Sequence, residues 1–156
     1  MRILMVCLGN ICRSPMADGH LRKKVKDLNM DVFVDSAGTA NYHVGEAPDK
    51  RMIATGAKFG TPIDNLRARQ FKAKDFDDFD VIYCMDSSNL QNVLSLAKNN
   101  DDRNKVRLIL NELQPNADLA VPDPYYGTMA DFEAVYDLLD RATDCVIEKI
   151  QNGKIR

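Results

Sequence analysis

The stretch Ile3-Leu4-Met5-Val6-Cys7-Leu8-Gly9-Asn10-Ile11-Cys12-Arg13-Ser14-Pro15 decides the fold, because it changes character twice in thirteen residues. Ile3 to Val6 is a short continuous apolar run, the pattern of a strand buried on both faces. Gly9 and Asn10 tolerate left-handed backbone and mark a tight loop. Ser14 suits a helix N-cap and Pro15 the first helical position. Met16/Ala17, Leu21, Val25 and Leu28 then recur at helical spacing, which predicts a helix over about 15–28.

Working outward, the alternation repeats. Val32 to Val34 reads as a second strand, closed by a loop over Asp35-Ser36-Ala37-Gly38-Thr39. A helix begins near Pro48, carries Met52, Ile53 and Phe59, and stops at Gly60. A polar stretch over 67–80 precedes the strand Val81 to Met85, after which Asp86 or Ser87 caps a helix holding Leu90, Val93, Leu94 and Ala97. Val106 to Leu110 is the fourth strand. A long connection over 111–130 leads into a final amphipathic helix with Phe132, Val135, Leu139, Ala142, Val146 and Ile150 on one side. Strands alternating with helices imply right-handed crossovers, so the expected class is α/β in three layers: a four-stranded parallel sheet flanked by helices. The flavodoxin-like strand order is taken by analogy. It puts the ligand site beyond the carboxyl ends of the strands, next to the first one.

The 156 residues are expected to form a single domain, and 45% hydrophobic with 28% charged residues is the balance of an ordinary packed protein. A formal net charge of −2 gives no global attraction to nucleic acid or to an anionic membrane. The N-terminal apolar run is too short for a signal peptide core or a membrane span, so a cytoplasmic chain with reduced cysteines is expected. Cys7, Cys12, Cys84 and Cys145 have no repeating C-x-x-C spacing and His20 and His43 no partner set, so no metal or other cofactor is expected and structural or surface roles are assigned to Cys84, Cys145 and both histidines.

A loop leaving a buried strand and entering a helix N-terminus is an anion cradle, because successive N–H groups and the positive helix end face its concavity. Arg13, six residues after Cys7, can fold back and offer two oxygens of a phosphate its planar fork. The same field favours the thiolate of a cysteine at its base, which makes Cys7 the candidate nucleophile. Ser14 either gives that sulfur a hydroxyl hydrogen bond or caps the helix. A cysteine at a strand end is commonly only a small core residue; here Gly9, Asn10, Arg13, Ser14 and Pro15 accompany it. Thiolate attack on a phosphoester needs a proton donor for the leaving oxygen. The candidate is Asp123 in Val121-Pro122-Asp123-Pro124-Tyr125-Tyr126-Gly127, on a connection that shares the sheet's carboxyl edge. Burial beside the two tyrosines would favour its acid form. Tyr125, Tyr126 and Tyr42 are candidate aromatic walls for a phenyl ring.

Cys7-Leu8-Gly9-Asn10-Ile11-Cys12-Arg13-Ser14-Pro15-Met16-Ala17-Asp18 and Asp123-Pro124-Tyr125-Tyr126 resemble the low-molecular-weight protein tyrosine phosphatase family. The similarity extends to Asp35-Ser36-Ala37-Gly38-Thr39, Ala68-Arg69-Gln70 and Tyr83-Cys84-Met85-Asp86-Ser87-Ser88-Asn89. It implies Cys7 as nucleophile, Arg13 as phosphate clamp and Asp123 as general acid and then base. It also implies a phosphate-binding loop of Leu8, Gly9, Asn10, Ile11, Cys12 and Ser14 organised with Ser36, and ring contacts from Tyr42, Tyr125 and Tyr126. The implied substrates are phosphotyrosine proteins and small aryl phosphates, with phosphate and other oxyanions as ligands and a monomer as the expected state. Cys12 has two readings, core packing or a reversible disulfide with Cys7 that protects an oxidised nucleophile; the resemblance favours the second. Two positions depart from the family: Asp18 stands where it usually has Glu, and Leu66 where a histidine is expected to brace Asn10 and the serines behind the loop. The rival activities are a thiol-dependent arsenate reductase, which needs a further cysteine pair, and a phosphotransfer or phosphotyrosine-binding protein that does not turn over.

Overall fold

The computed structural model describes residues 1–155. Four parallel strands, β1 (Arg2–Cys7), β2 (Phe33–Gly38), β3 (Val81–Cys84) and β4 (Val106–Leu108), stand in the order β2-β1-β3-β4. The helices are α1 (Arg13–Asp27), α2 (Lys50–Lys58), α3 (Asp75–Asp78), α4 (Ser87–Leu94), α5 (Asn100–Asn104) and α6 (Met129–Gln151). Strand side chains alternate between faces. Ile3, Met5 and Cys7 of β1 join Val81 and Tyr83 of β3 in a core shared with α1 and α6, while Leu4, Val6, Ile82 and Cys84 pack on the other face against Phe76, Phe79 and Val93. β1 is central and buried on both sides, as its unbroken apolar run requires. The three-layer α/β expectation holds, and the strand order reverses on either side of β1.

Several boundaries differ from the sequence-based expectation. The first helix begins at Arg13, with Cys12 in the cap position, and Ser14 makes no capping bond. β2 continues through Asp35, Ser36, Ala37 and Gly38, which the small polar composition suggested was loop. Gly38 lies opposite Cys7 in the register, and a Cβ there would meet the Leu8 carbonyl oxygen at 2.6 Å. Only glycine lets β2 run that close beneath the loop. α3 and α5 arise in stretches read as polar connections; Asn99 caps α5 by accepting from the Asp102 N–H. The fourth strand stops at Leu108 and turns into a 3-10 segment, Ile109–Asn111. α6 opens on a reciprocal cap between Thr128 and Asp131. Among the described residues no helix is long and apolar enough to cross a membrane.

Candidate active site

The site lies at the carboxyl end of β1, where the chain turns into α1. Asn10 adopts φ 59°, the left-handed conformation its residue type allows. The loop ends with the Cys7 sulfur 3.0 Å from the Ser14 hydroxyl oxygen. The Asn10 amide donates to the hydroxyls of Ser14 at 2.8 Å and Ser36 at 3.0 Å, and its oxygen accepts the Arg69 main-chain N–H at 3.0 Å. Ser14 is therefore a partner of the sulfur, and the helix cap reading of it is set aside. Ala40 and Thr39, just past β2, donate their N–H groups to the Leu8 and Cys7 carbonyls, which ties the loop to the sheet edge.

Arg13, in the first turn of α1, is 3% exposed. Its Nη1 donates to Asp86 Oδ2 at 2.7 Å and to the Val121 carbonyl at 3.1 Å. Burial opposes its charge, but the Cys7 sulfur together with Asp86 and Asp123 holds its proton above the ordinary arginine range. Asp86, anticipated only as a helix cap, does both tasks at once: its other oxygen accepts the Asn89 N–H at 2.8 Å. The signal for it was present in an acidic residue directly after a buried strand, at the edge where ligands bind. Asp123 comes from the facing connection, with Oδ2 3.8 Å from Arg13 Nη2 and Oδ1 accepting the Tyr125 N–H at 3.1 Å. The expected burial of Asp123 does not hold, since its side chain is 45% exposed.

These groups line a cleft of about 200 Å³, with Cys7, Leu8, Gly9, Ile11, Cys12 and Arg13 as the floor and Tyr42, His43, Asp123, Tyr125 and Tyr126 as the rim. The two tandem tyrosines meet edge to face with centroids 4.9 Å apart. Arg51, not singled out from the sequence, donates to the Tyr125 carbonyl at 2.9 Å and supports that rim. His43 stands on the rim with its Nδ1 2.9 Å from Glu46 Oε2, and its ring edge sits over Gly9, where a Cβ would meet it at 3.1 Å. His20 is likewise partnered, packed against Tyr136 with Nε2 3.0 Å from that residue's carbonyl oxygen, and burial lowers its pKa to about 4.

Cys12 is buried at the cleft floor, and burial, then the charges of Asp49 and Cys7, push its thiol up. Cys7 and Cys12 are both free thiols. Cys84 is fully buried in β3, its thiol also pushed up by burial. Asp18 is fully buried, gripped by Arg22 through two bonds of 3.1 Å, and burial raises it to about 6 against that pairing. Leu66 packs on the apolar core, and the Arg69 N–H supplies the contact to Asn10.

Comparison with known proteins agrees with this geometry. Residues 2–155 match the model of the family described as low molecular weight phosphotyrosine protein phosphatase. The chain is 41% identical over 150 residues to the human protein of that name, covering 94% of each. The crystal structure of a protein tyrosine phosphatase from Entamoeba histolytica superposes with a TM-score of 0.92 at 35% identity, covering 99% of both chains. A low molecular weight phosphotyrosine phosphatase from Vibrio cholerae gives 0.90 at 31% identity, again over 99% of each. A buried thiol facing a serine hydroxyl, an arginine at its side and a match from end to end place this chain in the low molecular weight phosphotyrosine protein phosphatase family.

Proposed function

We propose that residues 1–156 act as one phosphatase domain that hydrolyses phosphotyrosine in proteins, and small aryl phosphates, through a phosphocysteine on Cys7. The observation that carries the reading is the meeting of the Cys7 sulfur, backed by Ser14, and Arg13 on the cleft floor with Asp123 on its rim. Asp86 and the Val121 carbonyl occupy Nη1 of Arg13, which leaves Nε and Nη2 to grip two phosphate oxygens. The incoming dianion takes over from Asp123 as the counter-charge of Arg13, and the displaced Asp123 carboxylate takes up a proton from solvent, which makes it the acid. The sulfur attacks phosphorus, the bond from phosphorus to the phenolic oxygen breaks, and Asp123 gives that oxygen its proton. Asp123, now a carboxylate, takes a proton from water; the water oxygen attacks phosphorus, and the sulfur leaves as thiolate with inorganic phosphate as product. Every step is proton transfer or displacement at phosphorus by residues of the chain, so no cofactor is invoked.

Cys12 extends the reading to redox control. Hydrogen peroxide oxidises Cys7 to the sulfenic acid with loss of water, and the Cys12 sulfur attacks that sulfur, its proton leaving with the hydroxyl as a second water, to give a disulfide, reversible by an added dithiol. The arsenate reductase alternative needs a further cysteine pair, and the two remaining cysteines lie on separate elements, Cys84 fully buried in β3 and Cys145 half-buried on α6. The proposed setting is a cytoplasmic monomer. Steady-state hydrolysis of phosphotyrosine and of phosphoserine without added metal, with vanadate as inhibitor and Cys7→Ser as control, tests it. Strong preference for the aryl ester with loss of turnover in Cys7→Ser is expected. Full activity in that variant, or a stoichiometric phosphocysteine that persists, sinks the hydrolytic reading.

A further inference from the structure

Asn10 is the one loop residue held in the left-handed region, it is 2% exposed, and its amide organises both serines behind the sulfur. A non-glycine residue keeps such a conformation only where its surroundings fix it. Its carbonyl oxygen has a partner from outside the motif, the Arg69 N–H. With Leu66 turned into the apolar core, the placing of that N–H falls to Arg69's own anchoring.

Main-chain bonds set the segment against β2: Gly38 N–H donates to the Arg69 carbonyl at 2.8 Å and Phe71 N–H to the Gly38 carbonyl at 2.7 Å. The Arg69 side chain then ties it again to β2 and also to α3. Its Nε donates to Asp35 Oδ2 on β2, and Nη1 and Nη2 donate to the two oxygens of Asp75 at the start of α3, each at 3.1 Å. Asp75 is 1% exposed and also accepts the Lys72 N–H at 2.9 Å. Burial works against the charge of Arg69, and Asp75 with Asp35 outweighs it. Arg69 is half-buried and Asp75 buried, so breaking this bidentate pair is costly chiefly because it strands the buried carboxylate's charge. The planar fork is also specific to arginine; lysine cannot reach three oxygens in one plane.

We propose that Arg69 is a positioning residue for the reaction: its side chain, clamped between Asp35 and Asp75, fixes the main-chain N–H that orients Asn10, and through Asn10 the Ser14 hydroxyl at the Cys7 sulfur. The guanidinium does not line the cleft and acts only through this relay. The inference rests on the functional reading above for its kinetic readout.

A double-mutant cycle decides it, using R69K, N10A and the double variant, with turnover of para-nitrophenyl phosphate and calorimetric binding of inorganic phosphate as separate readouts. R69K is expected to lower kcat and phosphate affinity about tenfold in the native background and less than twofold in N10A, because the relay is already cut there. A residue that matters only for folding costs the same factor in both backgrounds. Equal losses, or no loss in the native background, overturn the proposal. If R69K does not fold, D75N carries the same cycle, since it weakens the clamp and leaves Asp35 in place. Should the unsubstituted protein fail to turn over aryl phosphate, the functional reading falls while the phosphate-binding arm still decides this one.

Discussion

Arg13 and Asp123 face each other across 3.8 Å, yet the side chain of one is 4% exposed and that of the other 45%. The floor of the cleft is sealed and cross-bonded: sulfur to serine, serine to asparagine, asparagine to a distant main chain, arginine to Asp86. The rim is open, with Tyr126 95% exposed and Tyr42 70%. A phosphate group has the same shape in every substrate, so its receptor gains from being fixed in advance. The remainder of a phosphoprotein varies, and Asp123, as the proposed acid above it, must exchange protons with water. The difference teaches that preorganisation is concentrated where the ligand is invariant.

The sharpest way to break this division is Asp123→Ala. With the floor intact, kcat on a tyrosyl phosphate should fall roughly 10²- to 10³-fold, and less for para-nitrophenyl phosphate, whose leaving group needs little protonation. Equal losses on the two esters would remove Asp123 from the proton-transfer step. Next in size is Gly38→Ala beneath the floor. The new Cβ would press on the Leu8 carbonyl, and a cost of about 1–3 kcal/mol is expected, read as a lower Tm together with weaker phosphate binding. A comparable substitution at exposed Gly45, where a Cβ meets nothing within 4 Å, is hindered only by its positive φ and should leave phosphate binding alone.

Asp18 tests the floor through pH. Its folded pKa is about 6 against an ordinary 3.8, so the folded chain holds this proton more tightly than the unfolded one. Its contribution is fully present below pH 3.8 and is lost as pH rises through 6. The stability of Asp18→Asn relative to the parent should therefore climb between about pH 4 and pH 6 and level off above. Denaturant midpoints that differ by the same amount at both ends would contradict the buried, raised carboxyl. The smallest effect is reserved for the rim: Tyr126→Ala should raise KM for phosphopeptides by less than about tenfold, with kcat nearly unchanged, because so exposed a ring loses little packing.

How far the sequence could be read follows the same division. The floor was legible because its residues are special ones at fixed spacing: Gly9 and Asn10 for the turn, Arg13 for the fork, and the apolar run of β1 for burial. Four other kinds of feature escaped. Ser36, Ala37 and Gly38 have no strand propensity of their own and become β2 through pairing with β1. α3 and α5 are too short for periodicity, and of the two only α5 carries a side-chain cap, from Asn99. The contacts from Asp86, Arg51 and Arg69 join segments remote in sequence, and in the last case the group that matters is a main-chain N–H, which no residue type announces. The exposure of Asp123 was missed because flanking tyrosines suggested a buried setting, whereas both rings stand on the rim beside it.

One bond on the floor has a wider reach. Arg13 also holds the Val121 carbonyl, and Val121 opens the connection that carries Asp123, while the Thr128–Asp131 cap at the head of α6 secures the other end. The connection is thus a span between two piers, and the nearer pier is built from the substrate's own receptor. The height of Asp123 above Arg13 is therefore set by the length of the span, and an insertion or deletion anywhere between the piers is expected to misplace the proposed acid even with every side chain of the site left in place.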